Sequence, residues 1–281
     1  MMEIVTFPDP AWHLTFPHRV SPRPEEWLAG LTLRCDEINH WSAGTTVAYL
    51  LRTVYPEAQS RNRLNIVSPS LVYLECLSQA LAIPVSPLLS TTYSNEMARL
   101  SSKRFTHPLI RAKHTFQFSL CPQCLSESGT LSRALLLPHI TTCLKHRLLL
   151  QQTCSCGTAL RLFSSQARPF TCFTCGLNWS HLACVSANSE NLLHAQSLLS
   201  CYEFFFAHGT PSLLSDVLTL LAEYDQKPTS NSTKYTGPVS PIIGKRLVLG
   251  DVVSSMVRLG ITPHEILTRS GHVTEGISVI G

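Results

Sequence analysis

A mainly α fold with small zinc-ribbon β elements is what this chain predicts, and three observations predict it. Apolar residues recur at helical spacing on both sides of the middle of the chain. Seven of the 11 cysteines fall between Cys121 and Cys175, six of them in short-spaced pairs. The 281 residues are 44% hydrophobic and only 14% charged, enough to bury a core. Disorder, coiled coil and collagen are excluded by that composition, and no apolar stretch approaches the roughly 20 residues of a membrane span. Three domains are expected: an N-terminal helical domain (1–115) with a helix-turn-helix-like hairpin, a tandem zinc-binding domain (116–183), and a C-terminal helical region (184–281) with a linker near 226–241.

The elements follow in order. Residues 1–20 are rich in proline and aromatics without a period and read as an extended arm. Ser21-Pro22-Arg23-Pro24-Glu25-Glu26 reads as a helix start: a capping serine, early proline, then acids suited to the positive helix end. Trp27, Leu28, Leu31, Cys35 and Ile38 continue it at helical spacing. A second helix is expected from Thr45 to Thr53. Ser68-Pro69-Ser70 opens a third, with Leu71, Leu74, Leu77 and Leu81 as its buried stripe, and a short helix follows from Ser86-Pro87 through Leu89. Helix, tight turn and short helix outline a helix-turn-helix, although the turn lacks glycine and any αα-hairpin shares this outline. Further helices are expected within 184–225, with Leu192, Leu198, Leu199, Tyr202, Phe205 and Phe206 as an apolar face, and at Asp251–Leu259 and Pro263–Ser270. Gln226–Pro241 is a polar break rich in Pro, Ser and Thr.

The start, MMEIVTFP, has no basic region followed by an apolar one, so a cytoplasmic location is expected and disulfides explain the cysteines poorly. Metal ligation explains them better. The pattern is Cys121-x2-Cys124, then Cys143-x2-His146, then Cys154-x-Cys156, then Cys172-x2-Cys175. That is two sets of four N/S ligands, and Zn²⁺ takes four in a tetrahedron. A tight turn aims both ligands of a close pair at one point, and Gly157 and Gly176 directly follow two such pairs, where a positive φ relieves the turn. Four protein ligands per ion leave no place for water, so two structural zinc ions per chain are expected rather than a catalytic one. His139 lacks the two-residue spacing to Cys143 and is a weaker ligand candidate than His146. Cys35, Cys76, Cys184 and Cys201 are scattered on apolar stretches and read as buried thiols.

Between Arg99 and Arg168 lie ten Lys/Arg against a single acid, Glu127. So basic a stretch fits an anionic partner, and Arg99, Lys103, Arg104, Arg111 and Lys113 are the candidate contacts to a nucleic-acid backbone. No phosphate-cradling GxxxxGK[ST], GxSxG or HExxH appears, and no carboxylate pair stands out for phosphoryl transfer. No catalytic residue is assigned, and the protein is not expected to be an enzyme.

The segments CPQCLSESG, PHITTCLKHRLLLQQTCSCGTAL and FTCFTCG together resemble the TniQ family of transposon target-selection proteins. Cys121, Pro122, Cys124 and Leu125 match its first element; Cys143, His146 and Leu150 its second; Cys154, Cys156 and Gly157 its third; Cys172 and Cys175 its last. The Pro22/Pro24–Glu26–Trp27 start with Arg34 downstream is similar to the family's opening, and the hairpin at 70–93 sits where the family has its helix-turn-helix. Two departures stand out: Leu131–Pro138 has no aromatic residue where the family has a tryptophan-bearing segment, and the third pair is separated by one residue where many members have two. The resemblance implies a non-catalytic adaptor, possible as a homodimer. It implies as partners an AAA+ transposition ATPase (TnsC-like) and either a CRISPR effector ribonucleoprotein or a target DNA, with no membrane partner. The limited length favours the RNA-guided type over direct DNA readers of the TnsD type. Two readings from other classes stay open. One is a zinc-ribbon transcription regulator. The other is a zinc hydrolase or deaminase, for which the required His-x-Glu is missing, His264-Glu265 being adjacent and far from the cysteines.

Overall fold

The computed structural model describes residues 15–54, 67–100, 118–226 and 249–269. Its helices, in chain order, are α1 Leu28–Ile38, α2 Thr45–Val54, α3 Leu71–Leu81, α4 Val85–Leu89, α5 Ser94–Leu100, α6 Pro122–Ser128, α7 Ser189–His208, α8 Pro211–Gln226, α9 Leu249–Leu259 and α10 Pro263–Arg269. Three short strands, β1 Thr142–Cys143, β2 Leu148–Leu149 and β3 Val185–Ser186, form one antiparallel sheet in that order. The fold is thus mainly helical with small β elements, as the sequence predicts. Two compact units emerge. One draws on described residues within Met1–Tyr93, Thr115–Arg133 and Gln151–Ala183; the other on those within Ser94–His114, Ala134–Leu150 and Cys184–Gly281.

In the first unit α1 begins at Leu28, later than the expected start over 21–26. Its cap, Trp27, supplies no side-chain bond. Instead the Trp27 N–H donates to the Leu131 carbonyl at 2.8 Å and the Leu28 N–H to the Thr91 carbonyl at 2.9 Å. Glu26 does not serve the helix end either. It is fully buried and grips Arg34, whose Nε and Nη2 each lie 2.7 Å from a carboxylate oxygen. A two-pronged pair of this kind holds the segment before α1 against the helix body. Asp36, also buried, accepts from the N–H groups of Gly44 and Thr46 at 2.7 Å each, so a carboxylate from α1 caps the start of α2. Burial pushes the Asp36 carboxyl up to about 6 despite these bonds. Gly44 has φ +87, and a Cβ there would sit 2.8 Å from Phe163 Cβ, so only glycine lets this corner meet the later ribbon.

Ser70 caps α3, accepting from the Tyr73 N–H. The buried residues of α3 are Tyr73, Leu74, Leu77, Ala80 and Leu81, whereas Leu71, expected inside, is 57% exposed. At about 100° per residue Leu71 lies roughly 120° from the centre of that stripe, which explains the difference. Ala82 ends α3 in the left-handed region (φ 52, ψ 45), doing without the missing glycine. The α3–α4 hairpin is therefore present. A further short helix, α5, follows in the other unit and had no counterpart in the sequence reading.

In the second unit α7 packs on β1, α9 and α10, and α8 packs on α5 and α9. Leu198, Tyr202 and Phe205 are fully buried, as expected, and the Tyr202 hydroxyl donates to the Pro138 carbonyl at 3.1 Å. The observed α9 and α10 match the two expected C-terminal helices closely. Residues 227–248, which include most of the expected linker, lie outside the described residues.

Candidate metal centres

The structure brings all eight expected ligands together in two tetrads, with ligand atoms in each within 4.8 Å of one another. The first is Cys121, Cys124, Cys143 and His146; the second is Cys154, Cys156, Cys172 and Cys175. His139 joins neither; its ring faces Asp251 at 3.7 Å.

The first tetrad does not use two matching turns. Cys121 is the cap of α6, with Pro122 at its first helical position, and Cys124 rides on the first turn of that helix. Cys143 ends β1, and His146 lies in the turn to β2. Cys143 Sγ and His146 Nδ1 are 3.7 Å apart. Arg147, directly after the His146 ligand, takes φ 57, the conformation glycine holds after both pairs of the second tetrad. Cys121 and Cys143 are buried, while Cys124 and His146 are half-buried.

The second tetrad is built from two hairpin turns of one kind, the second one residue longer than the first. In one, the Gly157 N–H donates to the Cys154 carbonyl at 2.8 Å and the Cys154 N–H to the Thr158 carbonyl at 2.8 Å. In the other, the Gly176 N–H donates to Cys172 at 2.9 Å and the Cys172 N–H to Leu177 at 2.9 Å. Bridges Thr153–Ala159 and Thr171–Asn178 close the two hairpins. Gly157 (φ +82) and Gly176 (φ +72) both use the positive φ expected of them, and among the described residues nothing lies within 4 Å of a Cβ added at either, so conformation rather than close packing selects glycine. Across the hairpins Cys154 and Cys175 Sγ are 3.5 Å apart, and Cys156 and Cys172 Sγ 3.7 Å apart. Cys154 and Cys172 are buried; Cys156 and Cys175 are exposed. Burial holds the Cys154 thiol above its ordinary range, and hydrogen bonding with Thr158 draws the Cys156 thiol below it.

These separations fit a tetrahedral metal. Four sulfurs at about 2.3 Å from one ion have edges of about 3.8 Å, close to the observed spacings and far beyond a sulfur–sulfur bond of about 2.05 Å. Both tetrads can hold a metal ion. Each supplies four protein donors, the requirement of a closed structural site.

Of the four remaining cysteines, Cys35 and Cys201 are buried as expected, and burial pushes each thiol up to about 11. Cys184 is exposed and Cys76 half-buried, which corrects the expectation for both; helical or apolar neighbours in sequence do not ensure cover. Of the expected nucleic-acid contacts only Arg99 is described. It projects from α5, and its guanidinium donates to the Phe206 and Ala207 carbonyls at the C-terminal end of α7, where a cation meets the negative helix end. Lys103, Arg104, Arg111 and Lys113 lie outside the described residues. Sequence reasoning missed the buried pair Glu26–Arg34 and the cap from Asp36; an acid eight residues before an arginine in an apolar stretch was the available signal for the first.

Helices with two four-donor clusters define the class: a helical protein whose ribbons carry two candidate metal centres. The TniQ family model matches residues 17–150, and this part of the chain is a TniQ domain. The match takes in α1–α6, the α3–α4 hairpin and the whole first tetrad, and it ends before Cys154. No curated protein matches the chain. The TniQ domain points to a role in target selection for transposition. Among the described residues no helix is long and apolar enough to cross a membrane.

Proposed function

We propose that this chain is a non-catalytic adaptor that selects the target site for DNA transposition, linking a guide-RNA CRISPR effector to the transposon's AAA+ ATPase. The observation that carries the reading is the TniQ match over 17–150, which spans the hairpin and a complete tetrad. Two structural zinc ions per chain hold the ribbons, because both tetrads offer thiolate-rich sets of four donors and leave no position for a reacting water.

The hairpin favours a protein partner over direct DNA readout. Neither α3 nor α4 contains a lysine or arginine, and Glu75 makes their joint charge negative. The only hydrogen-bonding side chain on α4 is Ser86. Bidentate reading of base edges uses Arg, Lys, Asn or Gln, and phosphate contacts use cations, so this short helix is poorly equipped for a major groove. Leu71 and Val72, more than half exposed on α3, suit an apolar protein contact instead. Basic contacts to nucleic acid fall to Lys103, Arg104, Arg111 and Lys113.

Size-exclusion co-elution tests the reading. The purified chain is mixed with the effector ribonucleoprotein and with the ATPase of the same element, separately and with target DNA. Co-elution with both is the expected outcome. Specific binding to a defined duplex without the effector moves the protein to the direct DNA-reading class. Failure with the ATPase and the effector overturns the adaptor reading.

A further inference from the structure

We propose that the second tetrad is a peroxide-sensitive modification site, in which the exposed cysteines Cys156 and Cys175 are oxidised and the tetrad gives up its metal while the first tetrad keeps its own. The inference rests on both tetrads holding zinc. Cysteine oxidation follows thiolate character and exposure. Metal ligation keeps all of these sulfurs as thiolates, so exposure decides between the tetrads. Cys156 and Cys175 are exposed, and no ligand of the first tetrad is. Among the described residues no atom lies within 4 Å of a Cβ added at the glycines beside them, Gly157 and Gly176.

Each exposed thiolate also has a resolving partner on the opposite hairpin. Cys172 Sγ is 3.7 Å from Cys156 Sγ, and Cys154 Sγ is 3.5 Å from Cys175 Sγ. The oxidant is hydrogen peroxide. The Cys156 thiolate attacks one peroxide oxygen, the O–O bond breaks, and the departing hydroxide takes a proton to become water. A sulfenic acid stands on Cys156. The Cys172 thiolate attacks that sulfur, the S–S bond forms, the S–O bond breaks, and the leaving hydroxide takes a second proton. The same sequence joins Cys175 to Cys154. Two peroxides are reduced to four waters, four protons are consumed, four thiolates become two disulfides, and the metal ion loses its donors. The two crosslinks then span the same hairpins that the metal held. The first tetrad cannot follow this course to completion. It has three thiols and an imidazole, so any one disulfide leaves an odd cysteine, and Cys121 and Cys143 are buried.

The test uses the full chain carrying Cys184→Ser, which removes an exposed thiol outside both tetrads. Zinc is first measured by elemental analysis. Peroxide is then added, zinc release is followed with a chromogenic indicator, and disulfides are mapped by mass spectrometry. The expected result is two zinc ions at the start and release of one, at least about tenfold faster than the other. Crosslinks Cys156–Cys172 and Cys154–Cys175 appear with it, and a thiol reductant plus zinc restores the starting state. Two ions released together, release from the first tetrad first, no release, or disulfides confined within each hairpin overturn the proposal while leaving the zinc sites intact. Fewer than two zinc ions at the start overturns the metal reading itself and this inference with it.

Discussion

In the first tetrad the ligands ride on a helix cap, a helix turn, a strand end and a tight turn; in the second all four ride on two similar hairpin turns that differ by one residue in length. The first has two buried and two half-buried ligands, the second two buried and two exposed. The TniQ match contains the first and stops short of the second. The same ligand requirement is thus met once by a site that regular elements lead into, and once by turns that have little structure besides the site. The lesson concerns what the metal must do. Where helix and sheet bonds already fix part of the geometry, binding energy is shared with them. Where short hairpins carry all four ligands, a bound metal would supply most of their folding free energy.

Removing a buried ligand from each tetrad gives the largest effect. Cys143→Ser and Cys172→Ser should each lower zinc content from two per chain to one. Apparent binding energies of structural zinc are on the order of 10 kcal/mol, so each loss should unfold its local segment. The comparison breaks if Cys172→Ser leaves the amide-exchange protection of 151–180 unchanged. It sharpens if that variant loses protection there, while Cys143→Ser leaves α6 partly protected through its own helix bonds.

The helical part has a non-metal counterpart to these staples. Glu26→Gln leaves Arg34 without a buried carboxylate and should cost about 3–5 kcal/mol in urea unfolding, with zinc content unchanged at two. Loss of zinc in this variant would show that the helices and the ribbons are not energetically separate.

Asp36 sets a pH dependence that the metal sites do not share. Burial raises its carboxyl from an ordinary 3.8 to about 6. The folded value lies above the unfolded one. Its contribution is therefore full below about pH 4 and is lost as pH rises through about 6. Relative to Asp36→Asn, which cannot ionise, the parent chain should gain about 2–3 kcal/mol between pH 7 and pH 4. Ligand protonation weakens zinc binding equally in both chains, so the difference isolates Asp36. A pH-independent difference would remove the carboxyl from this account.

The smallest effects come from the positive-φ residue that follows three of the four ligand pairs. Gly157→Ala and Gly176→Ala should each cost about 1 kcal/mol, because φ is positive and no clash adds to it. Arg147→Gly should shift stability the other way by a similar amount, since Arg147 already holds φ 57. Thermal melting of the zinc-loaded chains checks all three. Equal losses in the three variants would mean that contacts of the Arg147 side chain outweigh its backbone strain.

The ligand sets were legible because spacing is local. A turn that brings residues one to three apart to one point does so wherever it sits, and the glycines after it announce the turn. Helix ends at Ser70 and Thr262 were legible for the same reason, each capping the residues that follow it. The start of α1 was not, because its N–H groups are satisfied by Leu131 and Thr91, distant in sequence, and Glu26 by Arg34. Leu71 was expected inside because leucine is apolar; its exposure follows from which side of α3 meets α2.

The sequence by itself determined the helical class, the eight candidate ligands and their grouping into two sets, since these depend on periodicity and on short-range turn geometry. Tertiary structure alone decided that Cys121 would cap a helix, that Asp36 and Glu26 would be buried as cap and pair, and that Arg99 would close the end of α7. It alone left Cys156 and Cys175 open while covering Cys121 and Cys143. Burial depends on what packs against a residue, and the packing partner is chosen by the whole fold rather than by the residue's neighbours in the chain.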